Sequence, residues 1–235
     1  MKTARFRFDA DLRSLLQHAH VDGALAYAFN GPQSAKHLVE SLGVPHTEIG
    51  GIQANGQAVS GAYLVQDGDL VEVVGNAPGG GAAAEPRFVL DGHLGRLNAH
   101  LRMLGLDCLY EPGYSDPELA RIGVEQARII LTRDRRLLMR KLVTLGYLVR
   151  SLDPEEQLRE MVRRYGLQPW FRPFQRCIRC NHALEPVSKA DIIDRLEPLT
   201  RLHFEEFRIC VACGQIYWKG SHVERMERLI QRLRQ

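Results

Sequence analysis

Two Cys-x-x-Cys pairs near the C-terminus constrain this chain of 235 residues more than any other feature. They read Cys177-Ile-Arg-Cys180 and Cys210-Val-Ala-Cys213. Four thiolates on two tight turns complete the tetrahedron of a structural zinc ion, and they leave no open position for catalysis at that ion. We therefore predict a zinc ribbon in residues 171–235, with Zn²⁺ as its structural cofactor.

The composition is that of a soluble globular protein, with 45% hydrophobic and 25% charged residues. The sequence contains no run of eighteen apolar residues, so we expect no membrane helix. The N-terminus lacks the apolar segment of a secretory signal. We therefore expect a reducing cytoplasmic location, where paired cysteines bind metal rather than form disulfides.

Charge is divided unevenly along the chain. Residues 1–75 hold five Lys/Arg against eight Asp/Glu, whereas the remainder holds 26 against 20. The basic part suits a polyanionic partner such as nucleic acid, although most surface arginines are simply solvated.

A small-residue linker at 76–86 separates an N-terminal domain, residues 1–75, from the rest of the chain. In that domain Ser34 is placed to cap a helix that ends at Gly43. Asn55-Gly56 is the strongest short hairpin signal. Two strands, a helix and two or three further strands predict an α+β domain of the β-grasp type.

Strand and helix patterns alternate after the linker. The run Ile129-Ile130-Leu131 is typical of a strand that is buried on both faces. We predict a helix from about Asp134 to Leu145, and another that begins at Asp153-Pro154. This alternation indicates an α/β domain with a parallel sheet over residues 87–170.

Three aspartates fall where such a sheet places its chemistry. Asp91 ends the first strand of this domain, Asp134 follows the third, and Asp116 lies at the start of a helix. Ligands bind beyond the carboxyl ends of parallel strands, and carboxylates select Mg²⁺ or Mn²⁺. In the alternative interpretation, Asp116, Asp134 and Asp153 are helix N-caps with no catalytic role.

The segments Phe88-Val-Leu-Asp91, Leu94-Gly-Arg-Leu97 and Ile130-Leu-Thr-Arg-Asp134 resemble a PIN-like ribonuclease domain. More narrowly, they are similar to the family named for the C-terminal domain of the Mut-seven exonuclease, and the cysteine pairs match its zinc ribbon. The resemblance implies a ribonuclease in which Asp91, Asp116 and Asp134 bind Mg²⁺ or Mn²⁺. Structured RNA such as tRNA is a reasonable substrate by the habits of PIN domains.

The sequence departs from PIN nucleases in one respect: Arg135 and Arg136 stand where many of them have a fourth acid. The N-terminal domain resembles the ubiquitin-like domain fused to some members, and also the sulfur carriers. Sulfur carriers end in a free Gly-Gly, whereas Gly79-Gly80-Gly81 is internal here. A docking site for a protein or RNA partner is the favoured interpretation of this domain.

RNA contacts are predicted from cationic and aromatic side chains on the basic part of the chain. Single-stranded bases stack on aromatic rings, and cations follow the phosphates. In the alternative interpretation Tyr217 and Trp218 form the core of the ribbon. A basic amphipathic helix is expected over 222–235. The predicted RNA contacts are Arg96, Arg102, Arg133, Arg135, Trp218 and Lys219.

Two functions remain open at this point. One is a metal-dependent ribonuclease with RNA as its substrate. The other is a non-catalytic RNA-binding adapter that uses the zinc ribbon, with the β-grasp domain recruiting a protein partner.

Overall fold

The structure, a computed structural model, describes residues 1–16, 23–76, 84–220 and 228–233. The chain folds as two compact units. One unit comprises Met1–Pro78 and Ser115–Leu148, and the other comprises Gly79–Tyr114 and Val149–Gln235. None of the helices in the described ranges is both long and apolar enough to cross a membrane.

The N-terminal region forms a five-stranded mixed sheet. Its elements are β1 (Lys2–Phe8), α1 (Ala10–Arg13), β2 (Leu25–Phe29), α2 (Ala35–Ser41), β3 (Ile49–Ala54), β4 (Gln57–Val59) and β5 (Leu70–Gly75). The strand order is β2-β1-β5-β3-β4, with β1 and β5 parallel and the other neighbours antiparallel. Alternate residues of β1 are buried, which brings Phe6 and Phe8 into the core. The α+β fold class predicted for this region is confirmed.

Local signals in the sequence set two features of this sheet. The Ser34 hydroxyl accepts a hydrogen bond of 3.2 Å from the N–H of His37 and so caps α2. Asn55 and Gly56 join β3 to β4 with φ values of 52° and 79°, the left-handed pair that a tight hairpin turn requires.

A four-stranded parallel sheet follows. Its elements are β6 (Phe88–Leu90), α3 (Gly95–Met103), β7 (Cys108–Tyr110), α4 (Asp116–Glu125), β8 (Ile129–Thr132), α5 (Arg135–Leu138), β9 (Gly146–Leu148) and α6 (Pro154–Tyr165). The strand order is β7-β6-β8-β9. Every residue of β6 and β9 is buried, as expected for strands covered on both faces. The predicted α/β class is confirmed.

The aspartates near helix starts differ in whether they cap the helix. Asp153 caps α6, because its Oδ1 accepts from the N–H groups of Glu155 and Glu156 at 3.0 and 2.9 Å. Asp116, expected as a possible cap, is the first residue of α4 instead. The cap of α4 is Ser115, whose N–H donates to the Glu118 carboxylate at 2.8 Å in a capping box.

Helix α5 is shorter than predicted, since it ends at Leu138 rather than near Leu145. The chain turns before Val143, whose N–H donates to the carbonyl of Arg140 at 2.9 Å. The Val143 carbonyl lies 2.7 Å from Nε2 of His46, so a tertiary hydrogen bond takes the place of a helical one. The predicted end was wrong because the apolar spacing does not reveal this partner.

The C-terminal region contains a three-stranded antiparallel sheet in the order β10-β11-β12. A small core of Ile192, Leu196, Phe207 and Ile216 supports it, with Trp218 packed alongside. The predicted helix over 222–235 lies partly outside the described residues; within them, 228–233 is helical. The elements are β10 (Glu185–Val187), α7 (Lys189–Ile192), α8 (Pro198–His203), β11 (Phe207–Ile209) and β12 (Ile216–Trp218).

Candidate metal centre and active site

The four cysteines of the two pairs converge. Their sulfur atoms all lie within 4.8 Å of one another. Sγ of Cys177 is 3.6 Å from that of Cys213, and Sγ of Cys180 is 3.3 Å from that of Cys210. Across the described ranges of the chain, no other group of three or more Cys, His, Asp or Glu side chains is as close. The sequence-based grouping of these thiols is confirmed.

Both cysteine pairs adopt the same turn. The carbonyl of the first cysteine accepts from the residue after the second, at 2.9 Å between Asn181 and Cys177 and at 2.7 Å between Gly214 and Cys210. Asn181 and Gly214 have φ values of 71° and 73°. Glycine and asparagine tolerate this left-handed region, which explains why these two residue types follow the cysteine pairs.

The pKa values of two of these thiols are shifted in opposite directions. Burial raises the pKa of Cys177, but hydrogen bonds led by that of the Tyr217 hydroxyl, 3.1 Å from Sγ, outweigh it and lower the pKa to about 6. Burial raises the pKa of Cys180 to about 12. Neighbouring thiolates repel one another, so they ionise together only around a positive charge. The distances between these sulfur atoms are close to the ~3.8 Å that separates two sulfur ligands of a tetrahedral zinc ion. Sulfur is also a soft donor that suits zinc.

The first cysteine pair is attached to α3 and β7 by a buried arginine. Arg102 is 3% exposed. Its guanidinium donates to the carbonyl oxygens of Cys108, Ile178 and Arg179 at 2.9 to 3.0 Å. In place of the phosphate contact predicted for it, Arg102 therefore has a structural role. The sequence gives no signal for this role, because two of the three partners, Ile178 and Arg179, lie more than seventy residues away.

Asp91 directly follows the buried strand β6. It precedes a short 3-10 helix, Gly92–Leu94, and its side chain makes no capping hydrogen bond to it. Its backbone carbonyl accepts from Leu94 N–H at 2.9 Å. The Tyr110 hydroxyl donates to the carbonyl of Gly92 at 2.9 Å, which fixes the turn that begins at Asp91.

Asp116 and Asp134 lie in one compact unit and Asp91 in the other. Asp134 caps α5, since its Oδ1 accepts from Arg136 N–H at 2.7 Å. Asp116 forms an ion pair with Arg140 at 3.7 Å, a partner that sequence reasoning missed.

Thr132 also escaped the sequence-based prediction of site residues. It is fully buried at the end of β8, and its hydroxyl accepts from Asp134 N–H at 2.9 Å. A Thr two residues before an Asp at a strand end is a recognisable turn signal, and this signal could have identified Thr132 from the sequence. The hydroxyl holds the backbone of Asp134 at the point where the strand stops.

The other predicted RNA contacts differ in their surroundings. Arg96 and Arg133 are exposed. Arg135 donates to the carbonyl of Leu15 at 2.6 Å, and Lys219 pairs with Glu206 at 3.4 Å. The ring centroid of Trp218 lies 6.4 Å from that of Phe204 and 6.5 Å from that of Phe207. Trp218 therefore packs in the core of the ribbon, as the alternative interpretation has it.

The comparisons with known proteins agree with the architecture. Residues 86–230 match the family described as the Mut7-C RNAse domain, and residues 1–77 match the one described as Mut7-C ubiquitin. No curated protein and no solved structure matches the chain. The RNase match covers more than half of the sequence, and it implies a nuclease that acts on RNA. The chain therefore belongs to the Mut7-C RNase domain family, and it carries the Mut7-C ubiquitin domain at its N-terminus.

Proposed function

We propose that this protein is a metal-dependent ribonuclease that hydrolyses the phosphodiester bonds of RNA. The single observation that carries the proposal is the match of residues 86–230 to an RNase family. The parallel sheet supports it, because such sheets place their ligands beyond the carboxyl ends of their strands. Asp91 and Asp134 follow two strands of that sheet, β6 and β8.

The chemistry of the acidic residues supports a hard cation as their ligand. Neither Asp91 nor Asp116 uses its carboxylate to cap a helix, so helix capping does not account for them. Carboxylate oxygens are the ligands that Mg²⁺ and Mn²⁺ prefer. In the proposal, Asp91, Asp116 and Asp134 hold the ion. When bound, such an ion activates water and neutralises the charge that develops on a phosphodiester.

The remaining residues bind and orient the RNA. Arg96 and Arg133 are exposed, and we assign them to the phosphates, which guanidinium groups bind in bidentate fashion. Arg135, Lys219 and Trp218 already have partners within the chain, so RNA would have to replace those contacts. The buried Thr132 hydroxyl fixes the backbone of Asp134.

Zinc has the structural part in this proposal. We infer that Cys177, Cys180, Cys210 and Cys213 bind one Zn²⁺, because their mutual spacing and their soft sulfur donors suit that ion. Thiols remain reduced in the cytoplasm, which is where we place the protein.

Asparagine substitutions separate catalysis from capping. Asn caps a helix about as well as Asp, so Asp134→Asn and Asp153→Asn both keep their caps. We expect Asp91→Asn and Asp134→Asn to lose cleavage on the order of a hundredfold or more, because the metal contributes several kcal/mol to the barrier. Asp153→Asn, the matched control, should cut RNA like the parent. Full activity in folded Asp91→Asn and Asp134→Asn proteins would disprove the acidic site.

A second function, an RNA-binding adapter without catalysis, is favoured by one observation. Arg140 pairs with Asp116 and would compete with a cation there. An adapter binds RNA in EDTA and cuts no RNA with Mg²⁺ or Mn²⁺. The ribonuclease is expected to cut with Mn²⁺ and to stop when EDTA is added.

Structured RNA such as tRNA stays a prediction as the substrate. A pool of cellular RNAs is exposed briefly to the protein with Mn²⁺, and the cut ends are mapped. Enrichment of ends in folded RNAs is the expected result, whereas uniform cutting contradicts the preference.

A further inference from the structure

Polar contacts join the described part of the ubiquitin-like domain to one segment of the RNase domain, residues 135–148. The Glu48 carboxylate accepts from Leu148 N–H at 2.6 Å, and Nε2 of His46 lies 2.7 Å from the carbonyl of Val143. Arg135 donates to the carbonyl of Leu15 at 2.6 Å. Both partners of every contact belong to the same compact unit of the chain.

Glu48 acts on the outer strand of the parallel sheet. Strand β9 is last in the order β7-β6-β8-β9, so one side of it has no strand neighbour within the described ranges of the chain. Backbone N–H groups on such a side need acceptors when they are buried. Leu148 is 6% exposed and Glu48 is 3% exposed, so the carboxylate serves a backbone N–H in a buried position.

Leu148 lies beside the residue that contacts Asp134, a candidate metal ligand. In the parallel pairing of β8 and β9, Leu148 stands opposite Thr132. The hydroxyl of Thr132 accepts from the N–H of Asp134. A chain of adjacent groups therefore runs from Glu48 in the ubiquitin-like domain through Leu148 and Thr132 to Asp134.

His46 reinforces the same attachment. Its Nδ1 lies 2.6 Å from Oε1 of Glu40, and its Nε2 faces the carbonyl of Val143. Through these two contacts the imidazole ring links Glu40 of the ubiquitin-like domain to the turn between α5 and β9.

Arg135 fixes the opposite end of this segment. It is the first residue of α5, the helix that Asp134 caps. Its guanidinium reaches Leu15, so the start of α5 is tied to the ubiquitin-like domain. The ubiquitin-like domain thus contacts the structure on both sides of Asp134. It contacts helix α5, which follows Asp134, directly. It contacts strand β8, which precedes Asp134, through the neighbouring strand β9.

We propose that the ubiquitin-like domain is a fixed part of the nuclease, with Glu48 as a positioning residue that orders Asp134 through Leu148 and Thr132. The surface around Glu48 and His46 has the chain's own RNase segment as its partner, rather than another protein. The claim about Asp134 rests on the proposed ribonuclease function, whereas the attachment itself does not.

The test compares Glu48→Ala, Glu48→Gln and Glu72→Gln in the full chain. Glu72 is a glutamate of β5 in the same domain, paired with Arg7 away from this contact, and it is the matched control. We expect Glu48→Ala to speed amide hydrogen exchange at Leu148 and Asp134 by about 10- to 100-fold, as suits a lost bond to a charged group. It should lower kcat for RNA cleavage and leave KM unchanged. Glu48→Gln keeps an acceptor oxygen and should restore most of both quantities.

Two results overturn the proposal. One is a Glu48→Ala protein whose exchange at Leu148 and Asp134 equals that of Glu72→Gln. The other is a fall in kcat that Glu48→Gln does not rescue. If the parent itself cuts no RNA, the proposed function fails, while the exchange measurement still decides the attachment.

A nicked chain keeps the proposal testable if Glu48→Ala does not fold. A specific protease site replaces residues 77–83 of the full chain, and the purified protein is cut there. The two pieces are expected to elute together in gel filtration at physiological salt. Their separation would show that the domain is not a fixed part of the nuclease.

Discussion

The side-chain oxygen of Asn181 accepts a hydrogen bond of 3.1 Å from the backbone N–H of Cys108. The amide nitrogen of the same side chain donates to the Asp107 carboxylate at 2.8 Å. Asn181 also has the left-handed backbone that closes the first cysteine turn. One residue therefore shapes the first turn of the four-cysteine cluster and fastens it to the outer strand β7.

Asn181→Gly separates these two tasks. Glycine keeps the left-handed turn but loses both side-chain bonds. We expect one zinc ion still to bind, with the free energy of unfolding lowered by about 1 to 3 kcal/mol. Urea unfolding and metal analysis measure the two quantities. Gly214→Asn is the control, because asparagine tolerates the same φ and its Cβ would meet only Arg195 at 3.6 Å. Loss of zinc in Asn181→Gly would contradict the division of tasks.

Removal of one thiol from the metal centre is expected to unfold the ribbon. Structural zinc contributes on the order of 10 kcal/mol to the folding of small modules, so Cys177→Ser should lose the ion and become sensitive to protease after residue 171. Cys108→Ala, at a buried cysteine outside the cluster, should retain one zinc per chain. Elemental analysis and limited proteolysis check this. Equal zinc content in the two variants would exclude the cluster as the binding site.

Alanine substitutions of Arg102 and Arg96 on helix α3 should affect different properties: the first should lower stability, and the second should lower RNA affinity. Arg102→Ala leaves three carbonyl groups without their donor and is expected to cost about 3 kcal/mol or more of stability. Arg96→Ala, at an exposed position, should change stability by less than about 0.5 kcal/mol. In binding titrations with a catalytically inactive Asp134→Asn background, Arg96→Ala is expected to weaken RNA affinity and reduce its salt dependence. Unchanged affinity would remove Arg96 from the phosphate contacts.

Acid should weaken the ubiquitin-like domain through Asp69. Burial alone would raise the pKa of this carboxyl, but hydrogen bonds from Gln66 N–H, Asn55 and Tyr63 outweigh it and hold the pKa below its ordinary value. A lowered pKa means that the stabilisation is complete above about pH 4 and is lost as the pH falls further. Asp69→Asn should therefore flatten the decline in stability below pH 4, whereas the exposed Asp11→Asn should not. Identical acid profiles would contradict this role.

Short-range chemistry made much of the fold predictable. Asn55-Gly56 specifies a hairpin, Asp153-Pro154 specifies a helix start, and each cysteine pair specifies a turn, because in every case the interacting atoms lie within a few residues. The family resemblance, which rests on short motifs of this kind, was confirmed for both parts of the chain.

The partners of buried polar groups were not predictable, because sequence pattern does not report which distant carbonyl a side chain will meet. Arg102 was predicted to contact RNA phosphates, yet it is buried. Helix α5 was extended too far because nothing in its apolar spacing reveals His46. The grouping of Asp91, Asp116 and Asp134 around a cation stays a prediction.

The burial of Arg102 has a consequence for the charge of the proposed zinc site. The Zn²⁺ proposed here would offset two of the four negative charges on four thiolates, so two would remain. Burial lowers the pKa of the guanidinium, while Cys108, Cys177, Cys180 and Asp107 raise it. Arginine remains ionised even when buried, so Arg102 would serve as an internal counterion to the proposed zinc tetrathiolate. A neutral side chain of similar size would restore the shape of this contact but leave two excess negative charges there instead of one.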